Sequence, residues 1–428
     1  MDLKQRLEKL ECHFTWDLGS KNELLDLLSN LNNVDQEMCT WPVHYYNLLG
    51  YIQVTFGSNT EALMNLHKAE SVIQEQGTEE ARVRLQVNKA NMAWVYFHLG
   101  EMDKSKEYLQ EVERLQRMYP APPGCTLHPE VSGEKGWTLI KLDMSKKRQA
   151  IDYFKMALKA EPERKEWHKG LALVMNMEFV QSEFTLDTIV EQLKIAHEKE
   201  PNGLFIHAHY LLKLCNQKKV PPENIKREMQ GLLERSLETG NLEGFSIILR
   251  YYREEDSLDK AIEIAETAHE RFPSSVKVLQ QLAHCYKWKV FRMEEGNERD
   301  TLARKSIMFL EEDVRHSPHA YKAKIALASM HCYARDFEKA DEIYKCLLSE
   351  EKDLSPQRQQ HLFYSYAQHL NHNRHSRDSI SFYMKTAEIP EMTVCKQKSI
   401  KVLESIVRRG RDPRCREILH FLKGIKTF

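Results

Sequence analysis

Two arginines three positions apart, Arg250 and Arg253, stand in the stretch LRYYREE with two tyrosines between them. Residues three apart lie on one side of an α-helix, and a guanidinium can hold a phosphate or a carboxylate through two parallel hydrogen bonds. Glu254 and Glu255 follow directly, and an arginine commonly pairs with a neighbouring carboxylate on a solvated surface. The pair therefore either binds an anion or belongs to an ordinary charged helix face, depending on which way the helix points.

Repeated helix pairs indicate how that helix is oriented. The segment DKAIEIAETAHERFP has small residues at Ala261, Ala265 and Ala268 and ends at Pro273, which is the pattern of the second helix of a tetratricopeptide repeat of about 34 residues. Second-helix patterns also occur in QAIDYFKMALKAEP, EALMNLHKAE, KSKEYLQEV and KADEIYKCLL. First-helix patterns occur in NLLGYIQVTFG, ANMAWVYFHLG, LQQLAHCYKWK and AKIALASMHCYAR.

These repeats predict an all-α protein, a tetratricopeptide-repeat α-solenoid that forms a right-handed superhelix with linking helices and a central groove or tunnel. Gly57 and Gly100 end two first helices, where a left-handed turn between paired helices is expected. We expect an N-terminal repeat subdomain over residues 1–125, a central subdomain over 126–290 that lines the groove, and a C-terminal subdomain over 291–428.

The repeat register assigns each side chain of LRYYREE to the core or to the inner surface. If Ala261 is position 20 of its repeat, the residues that pack on the partner helix are Phe245, Ile248, Leu249 and Tyr252. The same register, continued into the next repeat, places these polar residues on the inner surface: Ser246, Arg250, Arg253, Gln280, His284 and Lys287. The sequence thus predicts a cationic surface, rich in hydrogen-bond donors, that suits phosphate.

Composition narrows the kind of partner and of location. The chain has 428 residues, with 62 Lys and Arg against 63 Asp and Glu, so attraction to nucleic acid or to a membrane must come from a local cluster. The nine cysteines are scattered without a C-x-x-C motif, and neither a signal peptide nor a membrane-length apolar run is recognisable. We therefore expect a cytoplasmic protein without a membrane association.

Motifs of catalysis are missing from the sequence. It has no phosphate-binding loop, no dinucleotide-binding glycine pattern, no zinc-protease motif and no nucleophile elbow. We expect no enzyme activity, no cofactor and no metal site.

Several segments, in order, resemble the interferon-induced proteins with tetratricopeptide repeats: CHFTWDL, NLLGYI, ANMAWVYFHLGEM, EKGWTLIK, YYREEDSLDKAIE and HCYKWKV. The resemblance runs from about residue 5 to about residue 350 and weakens after that. It implies a cytosolic antiviral effector that holds the 5′ end of single-stranded viral RNA, triphosphorylated or capped, in a basic inner tunnel. It also implies homo- or hetero-oligomers with related proteins and an association with a translation initiation factor.

The same resemblance implies roles for individual residues. Arg253 matches an arginine that contacts RNA, and Gln281 matches a glutamine near the RNA. Trp137 matches an aromatic residue that stacks on the cap base, and Lys141 matches a basic residue beside the phosphates. Lys141 follows Trp137 by four residues, so we expect both on one helix face. The alternatives are that Trp137 is a core aromatic and that Lys141 is an ordinary solvated lysine.

The sequence also departs from the family pattern. Met177 and Ser246 stand where the family has arginines of the RNA tunnel, and Lys147 stands where it has a tyrosine near the phosphates. Either Lys147, Lys169 and Arg250 rebuild the phosphate pocket, or triphosphate recognition is weakened. In the second case the protein would be an interaction scaffold that associates with related repeat proteins or translation factors without recognising RNA ends.

Overall fold

The computed structural model describes residues 2–32, 42–177, 183–373 and 376–425, and within these ranges the secondary structure is helical without β-strands. The chain divides into two compact units, Met1–Tyr251 and Tyr252–Phe428. The prediction of an all-α tetratricopeptide-repeat fold is confirmed. The unit boundary lies inside the segment expected to be a central subdomain, and the division into three subdomains stays a prediction.

The described part of the first unit is a succession of helices. Their bounds are α1 Leu3–Leu7, α2 Lys21–Asn32, α3 Pro42–Thr55, α4 Asn59–Gln76, α5 Glu79–Val83, α6 Leu85–His98, α7 Met102–Met118, α8 Pro129–Leu139, α9 Met144–Ala160, α10 Lys165–Met175, α11 Leu186–Lys199, α12 Leu204–Gln217, α13 Pro222–Thr239 and α14 Phe245–Tyr251.

The second unit begins with a π turn, Tyr252–Asp256, and continues with helices throughout its described residues. Their bounds are α15 Leu258–Arg271, α16 Val276–Arg292, α17 Asn297–His316, α18 Tyr321–Tyr333, α19 Phe337–Ser349, α20 Pro356–His372, α21 Ser376–Glu388, α22 Val394–Arg409 and α23 Cys415–Ile425. A short 3-10 helix, Glu351–Asp353, follows α19. The pairs α16/α17, α18/α19 and α20/α21 each place a first helix against a second helix.

Small residues let paired helices approach closely. Ala261, Ala265 and Ala268 of α15 are completely buried, as the repeat pattern predicted. Where serine takes the small position, its hydroxyl donates to a backbone carbonyl of the partner helix, as in Ser105 to Ala93 (2.8 Å), Ser306 to Ala283 (3.2 Å) and Ser379 to Ala367 (2.9 Å). A buried hydroxyl therefore keeps a hydrogen-bond partner at each of these contacts.

Helix ends also follow the sequence signals. Gly57 and Gly100 adopt φ angles of 82° and 78°, which confirms the left-handed turns predicted after two first helices. Asp143 starts α9 by accepting a hydrogen bond from the Lys146 amide at 3.0 Å, the usual role of an N-cap carboxylate.

Helix α14 differs from the expected continuous first helix. Its predicted core residues are buried, namely Phe245, Ile248, Leu249 and Tyr252. Regular α-helical structure ends at Tyr251, however, and residues 252–256 form the π turn. Tyr251 and Tyr252 are both buried, although neighbouring residues of a regular helix point about 100° apart. Arg253 lies within this π turn.

Among the residues that the structure describes, no helix is long and apolar enough to cross a membrane.

Candidate functional site

Five side chains of the second unit form what we call the cationic cluster: Arg253, His284, Lys287, Lys322 and His361. They come from the π turn and from the successive first helices α16, α18 and α20. The charges of Arg253, Lys287 and Lys322 each lower the pKa of at least one other member, and His284 and His361 are among the groups affected. Three of the five, Arg253, His284 and Lys287, were predicted from the sequence to share a surface, and the fold brings these three together.

Arg253 is held by an aromatic ring. Its guanidinium carbon lies 5.5 Å from the ring centroid of Trp288, within the range of a cation–π contact. Glu254 approaches it only to 3.8 Å, a long distance for a salt bridge. The side chain of Arg253 is 8% exposed, so it is not the solvated charged residue that the alternative interpretation required.

Trp288 also fixes the state of His284. The indole nitrogen Nε1 donates to Nε2 of His284 at 2.7 Å. Because an indole N–H can only donate, Nε2 of His284 must be the accepting, unprotonated nitrogen. Burial, followed by the charges of Lys287 and Arg253, lowers the pKa of His284 to about 3. His284 is therefore neutral at physiological pH, with its proton on Nδ1.

Lys287 occupies an unfavourable place for a cation. Burial, then the charges of Arg253 and Lys322, lowers its pKa to about 8. The same causes act on His361, whose pKa falls to about 4 through burial and the charges of Lys322 and Lys287. Within the described ranges, no salt bridge joins Lys287 or Lys322 to a carboxylate. Among the described residues, the fold therefore brings Lys287 and Lys322 near each other without a salt bridge to a carboxylate at either lysine.

The two glutamines of α16 have different surroundings. Gln280 donates through Nε2 to Oδ1 of Asp313 on α17 at 2.8 Å, so its amide is already engaged by the neighbouring helix. Gln281 is half-buried. Their role in binding RNA stays a prediction.

The cap-stacking role of Trp137 has no open ring face to use in this structure. Trp137 is 2% exposed and packs edge-to-face on Phe154, with ring centroids 5.2 Å apart. Helix α8 ends at Leu139, so Lys141 lies beyond the helix and is exposed. The expectation that Trp137 and Lys141 share one helix face is wrong, because the chain turns there to begin α9 at its Asp143 cap.

Arg250 also lies among cations. In the first unit, burial, followed by the charges of Arg250 and Lys213, lowers the pKa of His209 to about 3. Nδ1 of His209 lies 2.8 Å from the amide nitrogen of Asn176. The expectation that Arg250 shares an inner surface with Arg253 and Lys287 stays a prediction.

Met177 stands at a position where the family has an arginine, and Lys169 and Lys147 are candidate replacements for that charge. Met177 packs against the apolar core. Lys169 donates to Oε2 of Glu200 at 2.9 Å, so its charge is already compensated. Lys147 is half-buried on α9, and its contribution to phosphate binding stays a prediction.

Sequence reasoning missed Lys322, His361, His209 and Lys213. Lys322 stands just before the first-helix pattern AKIALASMHCYAR, outside the register positions that indicated Arg253, His284 and Lys287. The histidines had no signal either, because a single histidine in a helical repeat is unremarkable.

Known proteins resemble this chain over nearly its full length. No protein-family model matches it. Human "Antiviral innate immune response effector IFIT1" is 28% identical over 431 residues, covering 95% of this chain and 88% of the relative. Human "Interferon-induced protein with tetratricopeptide repeats 2" is 27% identical over 452 residues, covering 99% and 92%. The similarity therefore extends further toward the C-terminus than the sequence motifs indicated.

Solved structures agree with this result. A structure of the human IFIT1 dimer with m7Gppp-AAAA superposes with a TM-score of 0.73 and 27% identity, covering 99% of this chain and 96% of that one. A second, of the human IFIT1 dimer with PPP-AAAA, gives 0.72 and 26%, covering 100% and 96%. Together with the repeat pattern, these similarities show that the chain resembles the interferon-induced proteins with tetratricopeptide repeats over nearly its full length.

Proposed function

We propose that this protein is an innate-immune antiviral effector that binds the 5′ end of single-stranded RNA, with phosphates held at the cationic cluster. The observation that carries the proposal is the group of Arg253, Lys287 and Lys322, whose like charges lie together while no salt bridge to a carboxylate compensates Lys287 or Lys322 in the described residues. Such a group is costly in the free protein and becomes favourable when a polyanion enters.

The chemistry of the cluster suits RNA phosphates. Arg253 offers a planar guanidinium and the two lysines offer compact ammonium groups. Neutral His284 and His361 can donate hydrogen bonds without adding a fixed charge. Each phosphate contact adds affinity and salt dependence but no sequence preference, which suits recognition of an RNA end.

Relatives support this assignment. Human IFIT1 has solved structures with m7Gppp-AAAA and with PPP-AAAA, both described as dimers. We extend to this chain the binding of a capped or triphosphorylated end and self-association. The alternative of a scaffold without RNA-end recognition is not favoured by these relatives. We expect binding without catalysis in the cytoplasm, and an association with a translation initiation factor remains part of the proposal.

Titration of the purified protein tests the proposal. Short fluorescent RNAs with a triphosphate, a cap or a monophosphate at the 5′ end are titrated at two salt concentrations. We expect preference for one of the first two ends and weaker binding at the higher salt. Lys287→Glu should weaken binding by at least about tenfold, since a hydrogen bond to a charged group contributes about 1.5–3 kcal/mol.

The matched control is Arg304→Glu, which makes the same charge change at an exposed residue of α17. It should leave RNA affinity within about twofold of the unmodified protein. Equal affinity for all three RNAs together with insensitivity to Lys287→Glu would overturn the proposed function.

A further inference from the structure

We propose that a row of rings beside the cationic cluster binds the nucleobases that follow the 5′ end of the RNA. We call it the aromatic track, and it consists of Trp288, Phe291, Tyr333 and His372. This inference rests on the proposed function, because the phosphates at the cluster would place the following nucleotides on the track.

The rings form an unbroken series across three first helices. Trp288 and Phe291 of α16 have centroids 6.1 Å apart. Phe291 lies 5.2 Å from Tyr333 of α18, and Tyr333 lies 5.4 Å from His372 of α20. Each step is within the distance at which aromatic rings contact one another. The successive helix pairs of the second unit therefore build a continuous aromatic surface.

Phe291 gives this surface an open face. It is 42% exposed, and every other phenylalanine, tyrosine and tryptophan in the described part of the chain is buried or half-buried. An exposed aromatic within a contiguous apolar surface is typical of an interaction site. Tyr333 and Trp288, on either side, are half-buried, so the track is supported by the fold and needs no rearrangement to present Phe291.

Cations accompany the rings. Arg292 lies 6.0 Å from the centroid of Trp288 on the same ring that Arg253 contacts, and Arg299 lies 5.4 Å from that of Tyr333. Alternation of stacking rings with cations is how proteins bind single-stranded nucleic acid, since rings take the bases and cations take the backbone.

Two acids near the track, Glu295 and Asp300, are engaged by arginines. Glu295 accepts from Arg335 at 2.9 Å and lies 3.9 Å from Arg299, and Asp300 lies 3.6 Å from Arg335. Their charges are therefore largely balanced at the place where a strand would pass.

The track begins inside the cluster. Trp288 is bound both to Arg253 through its face and to His284 through its indole nitrogen. A strand whose first phosphates contact Arg253 and Lys287 consequently continues onto Phe291. This continuity favours RNA over an acidic peptide, whose side chains have no aromatic face to stack.

Binding of normal and abasic RNA separates stacking from phosphate contact. The ligands are a 5′-triphosphorylated oligoadenylate and the same strand with abasic positions after the first nucleotide, measured by fluorescence anisotropy on the full chain. Phe291→Ala should weaken binding of the normal strand about 5- to 150-fold, the range of one lost base stack. It should leave the abasic strand unaffected, and Phe291→Trp should restore binding.

Lys287→Glu provides the second arm, and the melting temperature of each variant shows that it is folded. If Phe291→Ala changes the affinity for neither strand, or lowers it equally for both, the proposal that the aromatic track binds nucleobases is wrong, while phosphate binding at the cationic cluster is unaffected. If Lys287→Glu changes the affinity for neither strand, the proposed function is wrong. A glutamate-rich peptide that binds in a Phe291-dependent manner while RNA does not would also overturn the track.

Discussion

The guanidinium of Arg253 lies over the ring of Trp288, 5.5 Å from its centroid, within the range of a cation–π contact. The five donors of an arginine lie in the guanidinium plane. Stacking on Trp288 and binding of an anion at the edge are thus compatible. The ring positions Arg253 in advance, which lowers the entropy lost when a phosphate binds.

Arg253→Lys tests this positioning. The lysine keeps the positive charge but has no flat group to stack on Trp288. We expect RNA affinity to fall about 5- to 10-fold with an unchanged dependence on salt concentration. Arg253→Gln, which removes the charge, should in addition reduce the slope of log affinity against log salt by about 0.7. Both quantities come from anisotropy titrations at several salt concentrations, and a lysine variant that binds like the unmodified protein would contradict the stacking role.

The pKa of Lys287 predicts a pH dependence of RNA binding. Its pKa is lowered to about 8 by burial and by the charges of Arg253 and Lys322, with His284 and His361 also facing the cluster. A bound phosphate stabilises the ammonium, so the complex retains a proton that the free protein releases. Affinity should therefore decrease as pH rises through about 8, by at most about tenfold per pH unit.

Lys287→Arg is the control for this pH dependence, because a guanidinium stays protonated throughout the range. Affinities are measured from pH 7 to pH 9.5. The loss of affinity should be present in the unmodified protein and absent in the arginine variant. A pH profile that is the same for both proteins would exclude Lys287 as its source.

Acid should destabilise the first unit through His13. This side chain is completely buried, with Nδ1 near the Asn91 amide (3.1 Å) and Nε2 near the Thr138 hydroxyl (3.2 Å). Burial lowers its pKa to about 4, with His44 acting in the same direction and Glu134 opposing it.

His13 becomes protonated near pH 6.5 in the unfolded chain but only near pH 4 in the folded protein, because folding lowers its pKa. The contribution of neutral His13 to the free energy of unfolding is therefore fully present above pH 6.5. It is lost as pH falls from 6.5 toward 4, by about 1.4 kcal/mol per pH unit. Melting temperatures measured between pH 7.5 and 4.5 should decrease with acid, and less steeply in His13→Gln. Equal pH slopes in the two proteins would show that His13 does not titrate as proposed.

Gly170 should not tolerate a methyl group. A Cβ there would lie 2.3 Å from ring atoms of Phe154, a completely buried side chain. We expect Gly170→Ala to destabilise the protein by about 1–3 kcal/mol through overpacking. Gly231, within α13, has open space around its Cβ position, so Gly231→Ala should instead stabilise by about 0.5–1 kcal/mol. Thermal unfolding of both variants checks the pair, and equal shifts would refute the packing explanation.

Much of the second unit's site was predictable from the repeat register. The pattern around Ala261 correctly placed Leu249 and Tyr252 in the core, and it indicated that Arg253 and Lys287 share a surface. The π turn was not predictable, because no local propensity distinguishes it from a regular helix. Both tyrosines at its start, Tyr251 and Tyr252, are buried.

The sequence by itself determined the helix pairs, their small contact residues and the glycine turns, because these depend on residues close together in the chain. Only the tertiary structure decided that Lys322 and His361 join Lys287, since three helices distant in sequence must pack before their charges meet. It also decided that Trp137 is covered by Phe154 and its neighbours. The exposure of an aromatic ring depends on what packs on it, and a one-dimensional pattern does not contain that information.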